Sequence, residues 1–247
     1  MTKSYIAFKS ASEKANYVRE MFDRISSRYD LMNRVMTGGQ DMKWRRLAIE
    51  KADLPENGRL LDIACGTGDL AYLALVKEPG LVAAADFSLK MVALGNSKHD
   101  GYKNIHFLGA DGLAMPFQDS SFDAVVTGFS MRNVVDVGQF ITEMARVVRP
   151  GGKVVILEIT PVQTPLFASL FRFYFHKIVP IIGGLLSGSR EAYTYLPQSV
   201  DVFLNAEQLK KKMQANGLVD VDYMKLNLRT VAVHWGTVGC NSSYVNI

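Results

Sequence analysis

Cysteine is scarce in this chain, with Cys65 and Cys240 the only two in 247 residues. So sparse a pair offers no disulfide framework, which sets the chain apart from small stapled secreted domains and points to a reduced, cytoplasmic setting. The histidines are equally few: His99, His106, His176 and His234 lack metal-ligand spacing, so no metal is expected. An excess of one charge sign is nearly absent. The balance of 28 Lys and Arg against 24 Asp and Glu leaves only +4. The single cationic run, Lys210-Lys211-Lys212, reads as a solvated helix face. Nucleic-acid binding is therefore not indicated, although weak attraction to an anionic membrane surface is compatible with this balance. A charged start followed by an apolar core is missing too, so no signal peptide is expected. Asn241-Ser242-Ser243 matches a glycosylation sequon but carries no weight in a cytoplasmic setting. Repeats and low-complexity tracts are absent. What is present is 48% hydrophobic and 21% charged residues, the composition of a globular protein with a full core.

The pattern along the chain changes twice. Residues 11–51 read as helical, with Met21, Phe22, Ile25, Tyr29 and Met32 at helical spacing. After Pro55 and Gly58, strand-like runs at 59–64, 81–86, 104–109, 122–128 and 153–159 alternate with helical patterns at 69–77, 88–98 and 137–148. Such alternation predicts right-handed βαβ units and a parallel sheet covered on both faces. Pro150-Gly151-Gly152 reads as a sharp stop before the last of these strands. Residues 161–204 then break the rhythm as an insertion. Within it, 166–186 is long enough to span a bilayer, but Arg172, His176, Lys177 and Pro180 argue against that. An interfacial element, a wall of an apolar channel and a core helix all remain open for it. Asn205 with Gln208 forms a capping-box pattern for a helix closed by Gly217, and 219–226 with 229–235 predict a closing antiparallel hairpin. The organisation expected is a helical lid at 1–52, a catalytic domain at 53–238 and a flexible tail at 239–247.

Candidate ligand residues gather at strand ends. Leu60-Leu61-Asp62-Ile63-Ala64-Cys65-Gly66-Thr67-Gly68-Asp69 reads as a buried strand, a glycine turn and a helix start, a construction that brings backbone close to a nucleotide-like ligand. The third glycine of a pyrophosphate loop is replaced by Ala71, and Asp62 would repel a pyrophosphate yet suits an ammonium group. Both features favour S-adenosylmethionine over a dinucleotide. Asp86, closing the second strand, stands where an acid meets ribose hydroxyls; its alternative is a helix N-cap. Asp111-Gly112 after the third strand either reaches an adenine amino group or forms a turn. The next strand ends in Gly128-Phe129-Ser130-Met131-Arg132-Asn133. An Arg-Asn pair at that rim demands a partner, either substrate or an acid in the core, and Glu158 lies on the same rim.

Together these segments resemble the ubiquinone/menaquinone biosynthesis C-methyltransferases, the UbiE/MenG family, from about Val18 to Gly236. The resemblance rests on Tyr29-Asp30-Leu31-Met32-Asn33 with Trp44-Arg45, on Phe129 to Val134, on Arg146 to Gly152 running to Leu157-Glu158, and on Tyr193 to Ser199. It implies an α/β fold of the class I S-adenosylmethionine-dependent methyltransferase type, with a Rossmann-like, mostly parallel seven-stranded sheet and an N-terminal helical lid. It also implies methyl transfer to a ring carbon of a polyprenyl quinol. Similarity to MenG-type members favours demethylmenaquinol over the benzoquinol of ubiquinone synthesis. Carried over by position, the cofactor contacts are Thr67, Asp86, Asp111 and Gly112, to which the turn adds Asp62, Gly66 and Gly68. Gly128 stands where part of the family has serine, so a side-chain contact there is lost or passes to backbone. Asp41 replaces a frequent family histidine, and Met131 a small or apolar residue.

The expected chemistry places Arg132 against the phenolate of a deprotonated quinol, with Asn133 orienting it. Asp41, Asp111, Tyr193 and Tyr195 are open as the proton acceptor, while Tyr29, Asn33, Tyr193 and Tyr195 are expected to contact substrate. A bilayer-resident acceptor implies peripheral membrane contact, and self-association into a homo-oligomer is left open. A nicotinamide oxidoreductase would want the missing glycine and a late Tyr-x-x-x-Lys, which occurs only at Tyr5 to Lys9. A methyltransferase for another small aromatic and a noncatalytic assembly subunit are the remaining alternatives.

Overall fold

The computed structural model describes residues 8–162 and 171–240. The first part of the apolar run, the sequon and most of the expected tail lie outside the described residues. Seven strands form one sheet in the order β3-β2-β1-β4-β5-β7-β6. They are β1 (Arg59–Ile63), β2 (Leu81–Asp86), β3 (Ile105–Gly109), β4 (Phe122–Gly128), β5 (Val148–Ile159), β6 (Leu218–Leu226) and β7 (Val231–Val238). The first five pair in parallel, and β7 inserts antiparallel between β5 and β6. The mostly parallel seven-stranded sheet expected from the sequence is the sheet found.

Both sheet faces are covered, which is why the strands read as continuous apolar runs. Successive residues point to opposite faces, so Leu61 and Ile63 join Val125, Ile156 and Met144 in one core layer. Leu60 enters the other layer, with Val82, Val126 and Leu70. The helices between strands are α4 (Asp69–Ala74), α5 (Leu89–Lys98) and α6 (Val137–Val147). Ser88 and Asp136 cap α5 and α6 by accepting from the N–H groups of Met91 and Gln139. The helix expected over 69–77 ends at Ala74 and tightens into a 3₁₀ turn, because Glu78 turns left-handed before Pro79.

A further departure lies at Pro150-Gly151-Gly152. Strand pairing begins at Val148 opposite Phe122 and resumes at Lys153 opposite Ala124, so the segment is an excursion within β5 rather than a stop ahead of it. The capping box at Asn205 and Gln208 opens α9 (Ala206–Ala215) as expected. The hairpin follows, its turn carried by Asn227, Leu228 and Arg229, all at positive φ.

The N-terminal segment consists of α1 (Ala11–Ile25), α2 (Tyr29–Thr37) and α3 (Asp41–Lys51). The insertion continues through a π-helical turn (Tyr174–Ile178) into α7 (Val179–Ser187) and α8 (Arg190–Asp201). Met21, Ile25 and Met32 pack with Phe175, Val179, Tyr193 and Tyr195 in a third apolar cluster. The two added helical segments thus meet each other above the sheet's C-terminal rim. Among the described residues no helix is long and apolar enough to cross a membrane.

Candidate active site

Two cavities open at that rim. The first, of about 170 Å³, is floored by the ends of β1, β2 and β4 and the loop after β3, with Gly66, Asp86, Asp111, Gly112 and Gly128 in its lining. Ala15, Val18, Arg19 and Phe22 of α1 roof it. The second, of about 140 Å³, is lined by Tyr29, Asn33, Asp41, Arg132, Tyr193 and Tyr195 together with Phe171, Tyr174, Phe175 and Val179. Phe22, Tyr29, Phe129 and Asn133 line both. Residues about 100 apart in the chain therefore form a shared wall between two mostly apolar pockets that each carry a few polar groups.

In the first cavity Asp86 accepts from the Gly66 N–H at 2.8 Å and from the Ser88 N–H at 2.8 Å. Burial pushes its carboxyl up, while these N–H groups pull the other way. Asp86 is thus a cavity carboxylate that also braces the glycine turn; the N-cap role falls to Ser88. Asp111 accepts from Leu113 N–H at 2.9 Å, so its turn geometry and its place in the cavity coexist. A Cβ on Gly112 would lie 2.0 Å from the Phe140 ring, which explains the glycine by close packing.

Three expected cofactor residues sit outside this lining. Asp62 is fully buried behind the turn, where it accepts from Ala71 N–H at 3.0 Å. Burial pushes its carboxyl up to about 8, with the Ala71 N–H and the Arg45 charge pulling the other way. One carboxylate oxygen of Asp62 thus supports the start of α4, while its Oδ1 is buried without a hydrogen-bond partner. Thr67 donates to Asp30 at 2.6 Å and so faces the lid helix. Gly68 adopts φ +84°, and a Cβ there would lie 2.5 Å from Phe107. Gly68→Ala is expected to destabilise the fold by about 1–3 kcal/mol and to weaken cofactor binding through a displaced turn. Thermal melts with and without S-adenosylmethionine check this; an unchanged ligand-induced shift in Tm contradicts it.

In the second cavity Arg132 donates through Nη1 to Glu158 at 2.7 Å and to the Phe129 carbonyl at 2.6 Å. Glu158 also accepts from the Arg132 N–H at 3.3 Å and its own neighbour's N–H, Ile159, at 2.8 Å. The acid partner weighed for this arginine is thus present, and it anchors one edge of the guanidinium. Nε of Arg132 and Oδ1 of Asn133 are buried without a hydrogen-bond partner, in side chains that line the cavity. Such orphaned groups are costly unless a ligand meets them. Burial pushes up the phenols of Tyr29, Tyr193 and Tyr195, with Arg132 opposing that at Tyr195. Neutral phenols of this kind donate hydrogen bonds and are poor proton acceptors.

Asp41 corrects the expectation of a base. It is fully buried, and its carboxylate is engaged by Arg34, by the Thr37 hydroxyl at 3.0 Å and by Arg45 at 3.6 Å. These contacts belong to a latch that the sequence reading did not find. Asp69 receives Arg34 at 2.7 Å, Lys98 at 2.8 Å and Arg45 at 3.6 Å, while Lys98 also reaches Asp30 at 2.8 Å. The Asp41/Arg45 pair, spaced i,i+4, was its visible trace. Among the described residues no group of three His, Cys, Asp or Glu side chains is placed to hold a metal.

The ubiE/COQ5 methyltransferase family model matches residues 9–238. The chain belongs to this family. It is 44% identical over 225 residues to a demethylmenaquinone methyltransferase of Roseiflexus castenholzii, covering 91% of this chain and 94% of that one. It is 42% identical over 232 residues to the ubiquinone/menaquinone biosynthesis C-methyltransferase UbiE of Geotalea daltonii, covering 91% and 97%. Among solved structures, the fold is shared with phosphoethanolamine N-methyltransferase 2 of Haemonchus contortus in complex with S-adenosyl-L-methionine. That likeness has a TM-score of 0.57 at 17% identity, over 78% of this chain and 52% of that one. Membership of the ubiE/COQ5 family makes the chain a methyltransferase and sets aside the nicotinamide oxidoreductase. The twin cavities are the feature of this family member that a two-substrate transfer requires.

Proposed function

We propose that this protein transfers a methyl group from S-adenosylmethionine to a ring carbon of a polyprenyl quinol, demethylmenaquinol in menaquinone synthesis. The supporting observation is the wall shared by the two cavities, because a direct transfer needs both reactants in contact through one opening. The cofactor supplies a methyl already activated on a sulfonium. Asp86 and Asp111 would accept from its ribose and adenine, and Gly66 and Gly128 would present backbone. The fit is supported by the cavity that Gly66, Asp86 and Asp111 line and by the orphaned Asn133 oxygen at its edge.

In the acceptor cavity Arg132 stabilises the phenolate that makes the ring carbon nucleophilic, with Glu158 fixing its orientation. Asn133 orients the acceptor at the junction. Tyr29, Tyr193 and Tyr195 donate to ring oxygens. The apolar wall from Phe171 to Val179 accommodates prenyl carbon and excludes water. An acceptor of this kind resides in a bilayer, so the enzyme meets it at a membrane surface. The naphthoquinol is favoured over the benzoquinol by the demethylmenaquinone methyltransferase relatives. A strain lacking the protein is expected to accumulate the demethylated quinone in a mass profile of extracted lipid. An unchanged profile sinks the assignment.

A further inference from the structure

The helix from the π turn into α7 has two apolar faces, and only one is used. Phe171, Tyr174, Phe175 and Val179 turn inward to the acceptor cavity. Phe173, Ile181 and Leu185 are 60%, 54% and 79% exposed, and Lys177 completes this outward ridge at i,i+4 steps. Ile178 and Leu186 widen it at 37% and 39% exposure. Five large apolar side chains in one short helical segment is not scattered surface apolarity.

Charge indicates what covers the ridge. From Phe171 to Arg190 the sequence holds Arg172, Lys177 and Arg190 and no Asp or Glu. Two nearby acids are already engaged, Glu191 by Arg24 at 3.2 Å and Asp201 by His176 at 3.1 Å. An apolar ridge with the exposed Lys177 in its row and Arg190 at its end, and with no acid in the same segment, complements an anionic phospholipid surface, whose headgroups meet these cations while the side chains enter the acyl boundary. A protein partner would gain little from the lone lysine within the apolar row.

We propose that the outward face of this helix, centred on Ile181 and Leu185, is the docking surface for an anionic bilayer. Because its inward face walls the acceptor cavity, docking places that cavity beside the membrane and gives a prenylated acceptor a route that never enters water. The proposal rests on the quinol-methylating reading but is tested separately from it.

The experiment uses the full chain and flotation with phosphatidylcholine vesicles containing or lacking phosphatidylglycerol. The wild type is expected to float with the anionic vesicles, and I181E/L185E to lose that affinity about tenfold or more. Neither side chain lines a cavity, so the variant's thermal melt and its turnover of a water-soluble, short-chain demethylmenaquinol stay at wild-type values. Turnover of a long-chain acceptor in vesicles falls with the binding. Equal flotation of variant and wild type overturns the proposal. So does a wild type that fails to float, and a dimer in sedimentation that I181E/L185E dissociates, since the ridge then seats a second copy. Failure of the wild type to methylate either acceptor overturns the functional reading instead, whatever the flotation shows.

Discussion

Arg132→Ala is expected to lose methyl transfer by about a hundred- to a thousand-fold while cofactor affinity stays within about twofold, the pattern of a group that stabilises charge only during reaction. Arg132 lines the acceptor cavity and not the cofactor cavity, which separates the two effects. Its partner Glu158 is buried and would be left charged and unpaired, a loss of about 3–5 kcal/mol that could mimic a catalytic defect. The paired variant R132A/E158Q removes both charges and isolates the chemistry. Glu158→Gln alone keeps the guanidinium but loosens its hold, so its turnover is expected to fall less, by about tenfold. Arg132→Lys retains a point charge but not the planar guanidinium, whose Nη1 reaches both Glu158 and the Phe129 carbonyl while its other nitrogens stay available. Isothermal titration with S-adenosylmethionine and single-turnover methylation measure the two quantities apart. Near-wild-type turnover in R132A/E158Q refutes the role.

The sheet was legible because its cause is local. Leu60-Leu61 and Val125-Val126 alternate between two covered faces, and that doubles as a continuous apolar run in sequence. The helix start at Asn205 was legible for the same reason, since the capping side chain lies within three residues of its target, whereas the helix after β2 was legible by its pattern but is capped by Ser88 instead of the Asp86 weighed for it. The strand-end positions of Asp86, Asp111 and Gly128 follow from topology alone. What failed to show depends on contacts across the chain. Asp62 sits in the strand as expected, yet its burial and its bond from the Ala71 N–H depend on the helix folding back over the strand. Asp41 read as a free acid because Arg34 and Arg45 converge on it only after α2 and α3 fold back. The Glu158 partner of Arg132 was weighed, but distance in sequence gave no preference between acid and substrate. The pairing of β5 across Pro150-Gly151-Gly152 was hidden because Val148 finds Phe122, a neighbour fixed by the sheet register.

The latch gives the second large effect. Arg34, Arg45 and Lys98 meet Asp30, Asp41 and Asp69, a balanced set of opposite charges joining the lid helices to the start of α4. Asp69→Asn keeps the shape and unbalances the set beside Arg45, whose side chain is only 6% exposed. The expected loss is about 3–5 kcal/mol, or a Tm lowered by about 10 °C in a chain of this size. Cofactor affinity should fall with it, because the same aspartate begins the helix after the glycine turn. The acid limb of the stability curve provides a second readout. Burial alone would raise the Asp69 carboxyl, but the Arg45 charge and the Lys98 and Arg34 hydrogen bonds overcome it and hold the group down at about 2, against an ordinary 3.8. A depressed carboxylate stabilises the fold fully above its unfolded value and loses that contribution as pH falls through the folded one. The wild type should therefore shed about 2 kcal/mol between roughly pH 4 and pH 2 from this group. In D69N that segment of the curve should flatten, while the carboxylates outside the latch titrate as before. Chemical denaturation at steps from pH 5 down to pH 2 tests both parts. Superimposable curves for wild type and D69N would show that the lid is held by the Met21, Ile25 and Met32 packing alone.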